Sequence, residues 1–148
     1  MKQALMAAMI GALAMAGAPA AADDAPEFIA GASSAPLSKA VRVGNVLYLS
    51  GELGIAEDGS DVVEGGIAPE TRRMMERIGA TLASAGRSFD DVFKCTVFLS
   101  DIDEWGEFNT VYKTYFKPGR YPARSVVEVS ELVFDAAVEM ECMAHHPG

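Results

Sequence analysis

Residues 91–116 read DVFKCTVFLSDIDEWGEFNTVYKTYF, and within this stretch the spacing of the apolar side chains changes once. Phe93, Cys95, Val97 and Leu99 recur at every second residue, the period of a strand. From Asp101 onward Trp105, Phe108, Val111, Tyr112 and Tyr115 recur at helical spacing. A strand that hands over directly to an amphipathic helix is the building unit of an α/β protein, not of a bundle or an all-β barrel.

The same alternation extends in both directions. Upstream, Ala68 to Ala85 reads as a helix: Pro69 and Glu70 sit in its first turn, Ile67, Met74, Ile78 and Leu82 mark its apolar stripe, and Gly86 ends it. Before it, AVRVGNVLYLSGELGI reads as two strands joined at Gly44-Asn45. Downstream, KPGRYP breaks the second helix ahead of two further strands, ARSVVEVS and AAVEMECMAH. The expected fold is an α/β two-layer sandwich, a mixed sheet with two helices on one face. Alternation assigns Leu47, Leu49, Phe93, Cys95, Val97, Leu99, Val127, Val129, Val138, Met140 and Cys142 to the helix-covered face. It assigns Tyr48, Ser50, Lys94, Thr96, Phe98, Arg124, Val126, Glu128, Glu139, Glu141 and Met143 to the other. Two helices cover only one face, and the second is too apolar to be left wholly to water, so self-association through it is expected.

The first 22 residues, MKQALMAAMIGALAMAGAPAAA, carry Lys2, an uncharged apolar run and small residues at Ala20 and Ala22. They read as a secretory signal peptide cleaved after Ala22, which places the remaining single domain, residues 23–148, in a periplasmic or secreted location with no membrane attachment. Removing Lys2 from the 12 basic residues leaves 11 against 21 acidic ones, a net charge of −10. Such a surface disfavours nucleic acid.

Several chemistries lack their residues. There is no Gly-rich phosphate loop, no GxSxG elbow and no CxxC pair. His145 and His146 are adjacent, so they point to opposite faces of a strand; they read as a solvated tail, and no metal is expected. Cys95 and Cys142 read as small core residues, and the sequence does not say whether their strands lie close enough to pair. What remains is Arg124 and Glu139, assigned to one sheet face with the Ser50 hydroxyl nearby. Arginine's fork holds a carboxylate by two parallel hydrogen bonds, and a partly desolvated glutamate acts as a general base on water. From the pattern alone, an intersubunit salt bridge accounts for the same two residues.

Over nearly its full length the mature chain resembles the RidA/YjgF family of imine deaminases. The resemblance is carried by SKAVRVGNVLYLSGELG, by residues 91–116, by PARS and by VEMECMA, with fifteen residues from Arg124 to Glu139. It implies a chorismate-mutase-like fold, a homotrimer with clefts between subunits, and hydrolysis of 2-iminopropanoate and 2-iminobutanoate to 2-keto acids and ammonia without a cofactor. It implies that Arg124 binds the substrate carboxylate and Glu139 activates water, with Ser50, Gly51 and Asn109 lining the cleft. Val126 stands where the family has a cysteine, and its main-chain carbonyl would serve instead. Leu37 stands where the family has a tyrosine, and Glu52 adds a second acid expected to repel an anionic substrate. Those two departures keep a second reading open, a trimeric small-carboxylate binder or holdase without turnover. Family members have also been described as ribonucleases, which the net charge and the signal disfavour.

Overall fold

The computed structural model describes residues 25–31 and 35–147; the expected signal peptide lies outside the described residues. Seven strands form one mixed sheet, β1 (Glu27–Ala30), β2 (Ser38–Val43), β3 (Val46–Leu49), β4 (Glu52–Leu53), β5 (Val92–Leu99), β6 (Ala123–Glu128) and β7 (Val138–His145). Their spatial order is β1-β2-β3-β7-β5-β6, with β4 also paired to β7. Only β5 and β6 run parallel, because a helix connects them and returns the chain to its starting end. Two of these strands, β1 and β4, were not legible in the sequence. β1 lies in the polar lead-in, and β4 is two residues long.

α1 (Ile67–Ser84) and α2 (Trp105–Tyr112) cover one face, so the expected two-layer architecture holds. α1 stops where Gly86 takes a φ of 68°, a left-handed conformation that lets Gly86 and Arg87 donate back to the Ala83 and Leu82 carbonyls. α2 is shorter than its apolar pattern, since its first and last turns, Ile102–Glu104 and Lys113–Tyr115, are wound as 3-10 helix. Asp101 fixes the start by accepting a hydrogen bond from the Asp103 amide at 2.9 Å. Met74, Ile78 and Leu82 of α1 and Phe108 of α2 close over Leu47, Val97, Leu99, Val138 and Met140 of the sheet, all fully buried.

Cys95 and Cys142 sit directly opposite each other on β5 and β7 and form a disulfide in the core. The bond closes a sequence separation of 47 residues, which in the chain-entropy treatment stabilises the fold by about 4 kcal/mol. Replacing both cysteines by alanine is therefore expected to lower the melting temperature by well over 10 °C. Thermal unfolding of wild type with and without reductant checks this: an unchanged midpoint would show that the bridge contributes nothing.

The register corrects the face assignment of two segments. Arg124 pairs with Cys95 and Val126 with Val97, so Arg124 and Val126 lie on the helix-covered face, while Val127 pairs with Phe98 on the other and is 43% exposed. β6 carries apolar residues at both parities, so alternation alone has no way to choose its inward face. Phe93 is also moved, because an irregularity between Val92 and Lys94 buries Val92 and leaves Phe93 44% exposed.

Candidate functional site

Arg124 stands near the start of the edge strand β6, with α2 above it. Its guanidinium lies 4.5 Å from the ring centroid of Tyr112 and 5.3 Å from that of Phe108. Both distances fit stacking of a cation on aromatic faces. The rings hold the stem and leave the fork uncommitted: Nη1 is buried without a hydrogen-bond partner, and no carboxylate pairs with Arg124 among the described residues. The Tyr112 hydroxyl beside it is likewise buried without a partner. Burial pushes the Tyr112 phenol up, the charge of Arg124 and its side chain's approach to the hydroxyl pulling the other way, so the hydroxyl keeps its proton. Buried polar groups without a full set of partners are rare enough to need an explanation, and these two belong to residues that line one groove. An open groove of about 480 Å³ reaches them, lined also by Trp105, Asn109, Lys113, Tyr121 and Pro122. Asn109 lines the same groove as Arg124. Trp105, which helical spacing assigned to the apolar stripe, and Tyr121 line it too.

Glu139 belongs to the opposite face. It pairs with Phe98, which points away from the helices, and with Leu53 of β4. The expectation that Arg124 and Glu139 share one sheet face is therefore wrong for a single chain. The two residues lie on opposite sides of the sheet. Gly51 makes the Glu139 position possible: a Cβ there would stand 2.0 Å from the carboxylate Oε1, so only glycine lets the acid fold against the backbone. Ser50 precedes it, its hydroxyl donating to the Ser38 carbonyl at 2.7 Å. Leu37, next to Ser38, is 53% exposed at this end of the sheet. Val126, two residues from Arg124, packs against the core.

Electrostatics distinguish the acids around Glu139. Burial raises the Glu139 carboxyl above the ordinary range, and the charges of Glu141 and Glu52 push it further up. No cation pairs with it among the described residues. Glu52 is different. It is 7% exposed and clamped by Lys39 at 2.9 Å and Arg77 of α1 at 2.6 Å, so both of its oxygens are held by cations of the same chain, while its charge still reaches the Glu139 carboxyl. Glu70 in the first turn of α1 accepts from the Ala137 amide at 2.8 Å, which ties the helix to the entry of β7 two residues before Glu139. The loop feeding that entry holds Phe134 and Asp135 at φ of 62° and 50°, a conformation side chains of this size rarely adopt.

The histidine tail is also corrected. His145 ends β7, exposed, while His146 Nε2 lies 3.1 Å from the Ala85 carbonyl at the end of α1, so the tail is docked.

The chain was compared with known proteins. Residues 29–146 match the family model described as Endoribonuclease L-PSP. A RutC family protein of Pyrococcus abyssi is 41% identical over 110 residues, 74% of this chain and 86% of that protein. The mouse protein named 2-iminobutanoate/2-iminopropanoate deaminase is 37% identical over 113 residues, 76% of this chain and 83% of its own length. Among solved structures, a Rid family protein of unknown function from Yersinia pestis superimposes with a TM-score of 0.77 at 37% identity, over 82% of this chain and 99% of that one. A family model matched along most of the chain, relatives above one-third identity and a shared fold agree, and the chain belongs to the RidA/YjgF family.

Proposed function

We propose that this protein is an exported hydrolase that converts reactive 2-imino acids, such as 2-iminopropanoate and 2-iminobutanoate, to 2-keto acids and ammonia. The observation that carries this reading is the pair of half-sites. One face of the chain offers an uncommitted, ring-stacked guanidinium with Asn109 beside it, and the other offers a desolvated carboxylate without a cation. A second copy that lays its Glu139 face over the Arg124 groove completes a cleft with an anion clamp and a base. A closed homotrimer makes three such clefts and covers the exposed Tyr48 and Val127.

In this cleft Arg124 binds the substrate carboxylate. Glu139 from the neighbouring copy takes a proton from water as the oxygen attacks C2. The C–O bond forms as the C=N bond becomes single and the first water proton passes to nitrogen; the resulting hydroxyl then gives its proton to the amine as the C–N bond breaks, leaving the keto group and ammonia. A ribonuclease reading gains nothing from the site, because a net charge of −10 repels a polyanion and one clamp suits one small carboxylate. The test is direct: imines generated by an amino acid oxidase should disappear faster with the protein than in water alone, and an unaltered rate overturns the proposal.

Export is supported by the pattern of residues 1–22 and by the buried disulfide, a bond kept in oxidising compartments. Protein recovered from its host is expected to begin at Asp23 by mass spectrometry and to give a trimer mass by light scattering at micromolar concentration. A retained Met1 would refute export, and a monomer mass would refute the shared cleft.

A further inference from the structure

Two exposed aromatic side chains stand in the wall of the groove at Arg124. The groove is open, about 480 Å³ on the single chain, and its exposed wall carries Trp105 and Tyr121 together with Lys113. Trp105 opens α2 and is 48% exposed, although Phe108 and Tyr112, three and seven residues on, bury completely or nearly so. Its indole is therefore not needed to fill the core. Tyr121, which reaches the same groove from the loop before β6, is 49% exposed. Leu37 at the Glu139 end is 53% exposed. Each half-site thus combines its charged group with an apolar side chain left to water. Rings of this size favour offset or edge contacts with another ring, and a ligand tethered by its carboxylate to Arg124 would project its side chain between Trp105 and Tyr121.

We infer that the site prefers 2-imino acids bearing an aromatic side chain over the short aliphatic ones. This rests on the reading of the site as an imine hydrolase and narrows it. The reaction is unchanged in balance: 2-imino-3-phenylpropanoate and water give phenylpyruvate and ammonia, with the C=N bond replaced by a C=O bond and both water protons carried to nitrogen. The reaction class that supplies such a substrate is oxidation of an aromatic amino acid at its α-carbon.

The experiment compares imines made by a D-amino acid oxidase from D-phenylalanine and from D-alanine, together with titration of the products phenylpyruvate and pyruvate into wild type, Trp105→Ala and Tyr121→Ala. Wild type should show kcat/KM at least about tenfold higher for the phenylalanine-derived imine, and phenylpyruvate should bind at least about tenfold tighter than pyruvate. Trp105→Ala should reduce both ratios by at least about tenfold at unchanged assembly mass. Equal or reversed ratios in wild type overturn the inference and leave the hydrolase reading intact. So does a Trp105→Ala protein that loses both substrates in the same proportion, because that pattern marks a merely structural indole. If neither imine is hydrolysed, the hydrolase reading falls, and the titration ratio alone decides whether the aromatic preference stands.

Discussion

Arg124→Ala is expected to lower kcat/KM for 2-imino acids by at least about a hundredfold. Hydrogen bonds to a charged group contribute about 1.5 to 3 kcal/mol each, and a carboxylate on the arginine fork accepts two. A hundredfold loss corresponds to about 2.7 kcal/mol, just under the roughly 3 kcal/mol of two such bonds at their weakest. Arg124→Lys keeps the charge but loses the second prong and the flat stacking on Tyr112 and Phe108, so it should fall between wild type and alanine. The guanidinium makes no ion pair among the described residues, so its removal is not expected to unfold the protein. Circular dichroism and trimer mass on the same samples check that point. A trimeric Arg124→Ala protein that hydrolyses imines at the wild-type rate would show that the clamp is assigned to the wrong residue. If Arg124 instead serves an intersubunit salt bridge, activity should follow assembly mass in every variant.

Glu139→Gln is expected to act on turnover. The amide fills nearly the same space against Gly51 but accepts no proton, so kcat should fall by about 10² to 10⁴ while a keto-acid product still binds. The pH profile provides a second test. Burial, with Glu141 and Glu52 adding to it, raises the Glu139 carboxyl, and the base form is the active one. Activity is therefore present above the raised value and lost as the pH falls through it, so the acid limb of kcat/KM should lie above the ordinary carboxylate range. Glu141→Gln removes one repelling charge from an exposed position on the same strand and should move that limb toward lower pH. A limb that stays at the ordinary glutamate value in wild type, or does not move in Glu141→Gln, excludes Glu139 as the titrating base.

The sequence by itself determined the architecture. The change of period inside residues 91–116 and the helical stripe from Ile67 to Leu82 follow from burying one face of each element, and burial is a local property of the pattern. The candidate residues Arg124 and Glu139 were legible for a related reason: a guanidinium at the head of a strand and a glutamate within one are costly unless they are partnered or used. The family resemblance also implied Asn109 as a lining residue, and it lines the groove at Arg124.

Tertiary structure decided which side each residue faces. β6 is an edge strand with apolar residues at both parities, and only its parallel register with β5, together with the Phe108 and Tyr112 rings of α2, turns Arg124 toward the helices. That register places Arg124 and Glu139 on opposite sides of the sheet. The cysteine bridge, the clamping of Glu52 by Lys39 and Arg77, and the docking of His146 on Ala85 also depend on contacts across 47, 13, 25 and 61 residues of chain. Periodicity reports what a residue's own segment buries; it carries no information about which distant segment arrives beside it, and at this site the arriving segment sets the charge, the partner and the face.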